Sequence, residues 1–168
     1  MKKLNSGFTL LELMLTMLIV VIVTTLAAPS MQSFVKNERL TSQINIVISH
    51  LMLARSEALK RNQSVILCAS DNATACTTSN AKEGWIVFVD VDASGGLTGT
   101  DEVIKVQQEL KGDDLYFNNF VTVVYDNRGF SPNATGTVSL CDDRGVDFAK
   151  VLSLSRTGRV RRSGAPSC

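Results

Sequence analysis

The chain is poor in the residues that most often carry out chemistry. It holds a single histidine, His50, in 168 residues. One imidazole cannot be placed in a hydrolytic triad from sequence, and its position in a helical pattern reads as a solvated helix residue. The four cysteines include no Cys-x-x-Cys pair, so the common zinc spacings are missing. No glycine-rich loop of Walker or dinucleotide-binding spacing occurs. There is no internal repeat and no low-complexity linker. The acid pairs Asp113-Asp114 and Asp142-Asp143 lie in turn-like stretches and read as solvated loops. Together these absences leave no catalytic residue to nominate and no cofactor to expect, and the chain reads as a non-enzyme.

Acid is also missing at the N-terminus. Residues 1–7, MKKLNSG, carry Lys2 and Lys3 and no carboxylate. An apolar run follows from Phe8 to Ala28, broken by Glu12 near its start and closed by Pro29. As a helix this run is about 31 Å long, which matches a hydrocarbon core of about 30 Å. The basic leader marks the cytoplasmic side. A secretory signal has a shorter apolar region, about 7–15 residues, ending in a small-residue site. A plain anchor leaves Glu12 unexplained, because an acid costs up to about 3 kcal/mol at mid-membrane and less near the edge. A costly acid points to a partner.

Beyond Pro29, which is expected to kink or briefly interrupt the helix, apolar residues recur at helical spacing. Leu40, Ile44, Val47, Leu51, Ala54 and Ala58 form one stripe, with Lys36, Glu38, Arg39, Gln43 and Asn45 on the polar face. One helix is expected from about Phe8 to Arg61. From Ser64 the period becomes two. Strands are expected over 65–69, 85–91, 103–110, 120–125, 137–141, 151–155 and 159–161. Turn clusters separate them at 71–82, 92–100, 126–136 and 142–147. A long helix followed by strands predicts an α+β fold: an N-terminal membrane-spanning helix packed on an antiparallel β-sheet domain. The segments are a leader (1–7), a transmembrane helix (8–28), its continuation into the domain (29–62) and a β-rich domain (63–168). Trp85 and Phe88 read as core residues of a central strand. Arg55 and Glu57 read as ordinary solvated or packing-edge charges on the helix flank.

Four cysteines allow three pairings. An exported chain meets oxidising conditions, and the expected bonds are Cys68–Cys76 and Cys141–Cys168. The first clips a strand to the loop after it; the second ties down the chain end. Asp90, Asp92, Ser94, Gly95 and Asp101 have nearly the spacing of an EF-hand calcium loop. A strand precedes them where a helix should, Asp101 is shorter than the usual glutamate, and the segment also reads as a hairpin loop. No metal site is therefore expected.

The last absence is the most informative. After Asp147 no acid occurs to the end of the chain, yet Lys150, Arg156, Arg159, Arg161 and Arg162 lie there. In an extended strand Arg159 and Arg161 share one face. Gly158 permits a tight turn just before them. Guanidinium groups bind phosphate in a fork, and a cluster of them reads a nucleic-acid backbone rather than bases.

Several of these motifs resemble known families. Gly7, then Phe8-Thr9-Leu10-Leu11-Glu12, with Pro29 further on, resembles the class III signal of type IV pilins and type II secretion pseudopilins. The resemblance implies that a prepilin peptidase cuts after Gly7 and methylates the Phe8 amine. Glu12 is then a filament-assembly residue, pairing with the amine of a neighbouring pilin. The run Ala54-Arg55-Ser56-Glu57-Ala58-Leu59-Lys60-Arg61-Asn62, with Val65, Cys68 and Gly84-Trp85-Ile86-Val87-Phe88-Val89-Asp90, is similar to the GspH/FimT group of minor pilins and pseudopilins. Gly158-Arg159-Val160-Arg161 resembles the GRxR signature of FimT-type minor pilins that bind DNA in natural transformation. The expected protein is a minor pilin, single-pass in the inner membrane, with its C-terminal domain in the periplasm, incorporated into the pilus. Its expected partners are DNA, the inner membrane, other pilins and prepilin peptidase. Arg156, Gly158, Arg159, Arg161, Arg162 and Lys150 form its DNA-binding set. Two rivals stand beside it: a purely structural minor pilin that primes pilus assembly, and a GspH-type pseudopilin of type II secretion.

Overall fold

The computed structural model describes residues 7–77, 81–112, 116–118, 122–133 and 136–168. Leader residues 1–6, the pair Asp113-Asp114, the 120–121 start of one expected strand and parts of two turn clusters lie outside them. The first element is one helix, α1, Leu10–Arg61. Thr9 caps it, its hydroxyl accepting the Glu12 N–H at 3.2 Å. Glu12 stands in the first turn, where the helix dipole favours an acid. Of the kink or brief interruption expected at Pro29, the interruption does not occur: α1 is helical on both sides of it. A proline removes one rung of the ladder, and the rungs on either side keep the helix in register. At the far end Asn62 takes a left-handed conformation (φ 54°). The Gln63 N–H then reaches back to the Ala58 carbonyl at 3.3 Å, which closes the last turn.

The chain divides into two compact units, Met1–Glu38 and Arg39–Cys168. In the first, every described large apolar side chain from Leu10 to Leu26 is at least half exposed. This segment is long and apolar enough to cross a membrane. The second unit has the expected stripe: Leu40, Ile44, Val47, Leu51, Ala54 and Ala58 are all buried.

Among the described residues eight strands follow: β1 Ser64–Ala69, β2 Gly84–Asp90, β3 Glu102–Gln108, β4 Tyr116–Asn118, β5 Val123–Tyr125, β6 Gly136–Cys141, β7 Lys150–Leu154 and β8 Val160–Arg161. They form two antiparallel sheets where one was expected, in the orders β3-β2-β1-β5 and β4-β6-β7-β8. Within the expected strand over 120–125, the described residues Val123–Tyr125 form a strand beside β1. Tyr116–Asn118 forms an additional strand paired to β6 in the other sheet.

The helix stripe packs with Val65, Leu67, Trp85, Val87 and Val89 of the first sheet and Leu140 and Leu152 of the second in one core. Trp85 and Phe117 meet edge to face across the two sheets, with centroids 6.1 Å apart. Strands β1 and β2 are buried on both faces apart from Ser64. Their second face, Ile66, Cys68, Ile86 and Phe88, is covered by Ala73, Cys76 and Leu97 from two loops. The disulfide Cys68–Cys76 (Cα–Cα 5.6 Å) holds the first of those loops in place. Cys141–Cys168 (Cα–Cα 6.1 Å) secures the chain end. Both pairings are those expected from the sequence.

His50 corrects the sequence reading. It is 8% exposed, and its Nδ1 accepts the Trp85 indole N–H at 3.0 Å. Burial, with a smaller effect from Lys105, pulls its pKa below 6.5. A neutral imidazole is what the indole donor needs, since a charged one has no acceptor nitrogen.

Candidate nucleic-acid interface

The arginine-rich segment is a built hairpin, not a loose tail. Strand β7 pairs with β8 through Ser153↔Arg161 and Leu154↔Val160. The Ser155 N–H donates to the Arg159 carbonyl at 3.1 Å, which carries the register one pair further. By that register Arg159 and Arg161 lie on one side with Ser155 and Ser153, and Val160 lies on the other with Leu154. The shared face expected for the two arginines is present.

Gly158 closes this hairpin for two physical reasons. Its φ is +73°, a left-handed value that glycine adopts without strain. A Cβ there would sit 2.2 Å from the Gly129 carbonyl oxygen, 3.0 Å from Tyr125 Cε1 and 3.2 Å from Arg55 Nε. The turn is therefore pressed against its surroundings. The Ser131 N–H donates to the Arg156 carbonyl at 2.9 Å, which joins the hairpin to the 126–131 loop. Arg55, half-buried on α1, donates from Nη2 to the Thr157 carbonyl at 3.0 Å. The sequence pattern places Arg55 on the helix flank as a solvated or packing-edge charge. In the fold it anchors the arginine turn, a role with no local signal because its partner lies 102 residues away.

The six expected residues separate by environment. Arg156, Arg159 and Arg161 are exposed. Among the described residues, none accepts a hydrogen bond or ion pair from their guanidinium groups. Arg162 is exposed but donates from Nη2 to Asn45 Oδ1 on α1. Lys150 is half-buried, and with Ile44, Arg162 and Ser163 it borders a small cavity of 200 Å³. Gly158 is buried and serves the turn. The structure thus gathers three exposed arginines on a hairpin braced by the helix and by the Cys141–Cys168 bond. Ser167 strengthens that end, its N–H donating to Ser139 Oγ at 3.2 Å.

The acidic loop is satisfied from within. One carboxylate oxygen from each of Asp90, Asp92 and Asp101 lies within 4.8 Å of the others. Asp90 accepts the N–H groups of Ser94 (3.1 Å) and Gly95 (3.2 Å). Asp101 accepts those of Val91 (2.8 Å) and Thr98 (2.7 Å). Hydrogen bonds from Ser94 and Thr98 hold the Asp92 carboxyl at about 2. The three side chains build a hairpin loop, as local side chain–backbone bonds of aspartate commonly do.

A helix capped ahead of an apolar segment, continuing onto antiparallel sheets, defines the type IV pilin class of fold. Two structures of the Pseudomonas aeruginosa type IV minor pilin FimU share it. One aligns at a TM-score of 0.59 with 17% identity over 79% of this chain and 93% of the other. The second crystal form aligns at 0.53 with 18% identity over 74% and 93%. Residues 43–158 match the family described as Type II transport protein GspH, and residues 2–28 match the prokaryotic N-terminal methylation motif. The chain belongs to the GspH family, as a GspH/FimT-like member of the minor pilins and pseudopilins. Among curated proteins none matches. The methylation motif implies processing by a prepilin peptidase and assembly with other pilins. The apolar helix suits anchoring in the inner membrane.

Proposed function

We propose that this minor pilin binds DNA through phosphates by way of Arg156, Arg159 and Arg161, and so contributes to DNA uptake. The observation that carries the reading is the trio of exposed arginines, without ion-pair partners among the described residues, on a braced hairpin in an acid-free segment. Lys150 and Arg162, which border the same small cavity, add supporting charge. Nothing in the hairpin resembles a base-reading helix, so binding is insensitive to sequence.

The remaining parts of the reading follow the methylation motif and the disulfides. Cleavage falls after Gly7 and leaves an N-methylated Phe8. Glu12 pairs with the amine of a neighbouring subunit. The disulfide-bonded domain lies in the periplasm, and the protein acts without catalysis of its own. A purely structural role, in a pilus or as a secretion pseudopilin, is the second reading, favoured by the GspH family match.

A mobility-shift assay over a salt series separates the two. Three phosphate contacts give a log–log slope of about −2.7, so affinity falls roughly 40-fold between about 50 and 200 mM salt. Gln in place of Arg159 and Arg161 weakens binding to all sequences alike and flattens the slope by about two. Lys at both positions retains part of the binding, because charge remains and the fork is lost. If the double Gln variant binds as well as the parent at matched salt, the structural role stands instead.

A further inference from the structure

The turn of the arginine hairpin rests against the 126–131 loop, and that loop displays an aromatic ring. Phe130 is 46% exposed. A lone exposed apolar side chain is ordinary on a protein surface. This one is held still and stands among cations. Its backbone is bonded to Asp126 at both polar groups. The Phe130 N–H donates to Asp126 Oδ1 at 2.9 Å, and the Phe130 carbonyl accepts the Asp126 N–H at 2.9 Å. Asp126 Oδ1 also accepts the Arg128 N–H at 2.9 Å, and its Oδ2 accepts Arg128 Nη2 at 3.0 Å. The carboxylate is thereby engaged within the loop. The Arg128 guanidinium lies over the Phe130 ring, 5.6 Å from its centroid. One residue further on, the Ser131 N–H donates to the Arg156 carbonyl at 2.9 Å. That bond fixes the loop to the hairpin that carries Arg156, Arg159 and Arg161.

We propose that Phe130 is a stacking platform for an unpaired base, which makes single-stranded DNA the preferred form at this surface. The proposal rests on the DNA-binding reading and names the strand form that it takes. In a duplex each base face is covered by the next base pair, and the arginines meet only phosphates. An unpaired base has a face to offer. Stacking on an aromatic ring beside a cationic track holds a single strand with little regard to sequence, because every base has a π-face. Arg156, Arg159 and Arg161 supply the track, and Phe130 supplies the platform. Arg128, already stacked on the ring, adds a second planar surface. Asp126 fixes the loop before the strand arrives, so little freedom is lost when a base stacks.

Phe130→Leu is the decisive variant, because it keeps apolar bulk and every charge and removes the ring. The full-length protein in nonionic detergent is titrated with a labelled oligodeoxythymidine and with a blunt duplex of equal length, each over a salt series. Phe130→Leu is expected to weaken single-strand binding by about fivefold or more. Its salt slope is expected to stay unchanged, since no counterion-releasing charge is removed. Duplex affinity and melting temperature are expected to match the parent, and Phe130→Trp is expected to keep single-strand binding. Parent-like single-strand binding by Phe130→Leu overturns the platform. The DNA-binding reading survives that result if Gln at both Arg159 and Arg161 weakens both strand forms. Equal losses on single strand and duplex also overturn the platform, because a duplex offers no free base face. Unchanged single-strand binding with reduced incorporation into filaments overturns it as well, and assigns Phe130 to a subunit contact. If the parent binds neither form, the DNA-binding reading itself falls and the platform falls with it.

Discussion

Two stretches of the same helix handle apolar residues in opposite ways. From Leu10 to Leu26 the large apolar side chains face outward on every side. From Leu40 to Ala58 one stripe of apolar residues is buried, while Met52 and the polar residues other than His50 keep some surface. A helix that is apolar all round needs an apolar solvent, and one with a stripe needs a protein core. The hydrophobic pattern of α1 therefore changes where its environment changes, and not where the helix ends. The same contrast separates the two charged features of the chain. Glu12 lies on the all-apolar stretch, in the first turn of the helix. Arg55 lies on the striped stretch and has its purpose inside the fold.

The sharpest way to break the comparison is to remove a leucine from each stretch. Leu40→Ala empties a fully buried site. It is expected to destabilise the domain by about 2–5 kcal/mol, as denaturant unfolding would report. Leu18→Ala, on the exposed stretch, leaves that unfolding midpoint unchanged. A matching loss from Leu18→Ala would mean that the first stretch belongs to the same core.

Gly158→Ala comes next in size. It forces a Cβ onto the Gly129 carbonyl oxygen and strains a positive φ. A loss of about 1–3 kcal/mol is expected, with weaker DNA binding because the arginines shift. Arg161→Gln in the same hairpin is expected to cost under about 0.5 kcal/mol while reducing DNA affinity. If Gly158→Ala leaves both stability and affinity intact, the hairpin is not braced as described.

A smaller effect concerns pH. The folded-state pKa of His50 is lowered, so between it and 6.5 the unfolded chain binds the proton more readily. The stability His50 contributes is complete above pH 6.5 and declines as pH falls through the lowered folded value. Thermal melts from pH 7 downward should show this decline in the parent and a flatter profile for His50→Gln. Identical profiles would remove His50 as the cause.

Glu12→Ala is expected to give the smallest change in the domain, none in its melting temperature, together with reduced incorporation into filaments. Normal incorporation would count against pairing with a neighbouring amine.

The parts of the fold legible in the sequence are those governed by local repetition. The Leu40–Ala58 stripe recurs every three or four residues and is buried as that spacing demands. The arginine face of the C-terminal hairpin follows from the two-residue period of a strand. Elsewhere the period misleads or is absent. Strands β1 and β2 are buried on both faces, so they show runs instead of alternation. Tyr116–Asn118 is too short to carry a period at all. His50 has the spacing of a helix residue, and nothing nearby in the chain shows that Trp85 lies above it.

The sequence by itself determined the apolar length of the N-terminal helix, the processing motif around Gly7 and Phe8, the domain's helix stripe and the acid-free, arginine-rich end. Each depends on neighbours within a few residues, where composition and period act directly. The tertiary structure alone decided that the described strands split into two sheets, that His50 is buried against the Trp85 indole, and that Arg55 anchors the arginine turn. Those outcomes depend on pairings between residues far apart in the chain. Such pairings are selected by packing and by the cost of leaving buried polar groups unmatched, which no local pattern encodes.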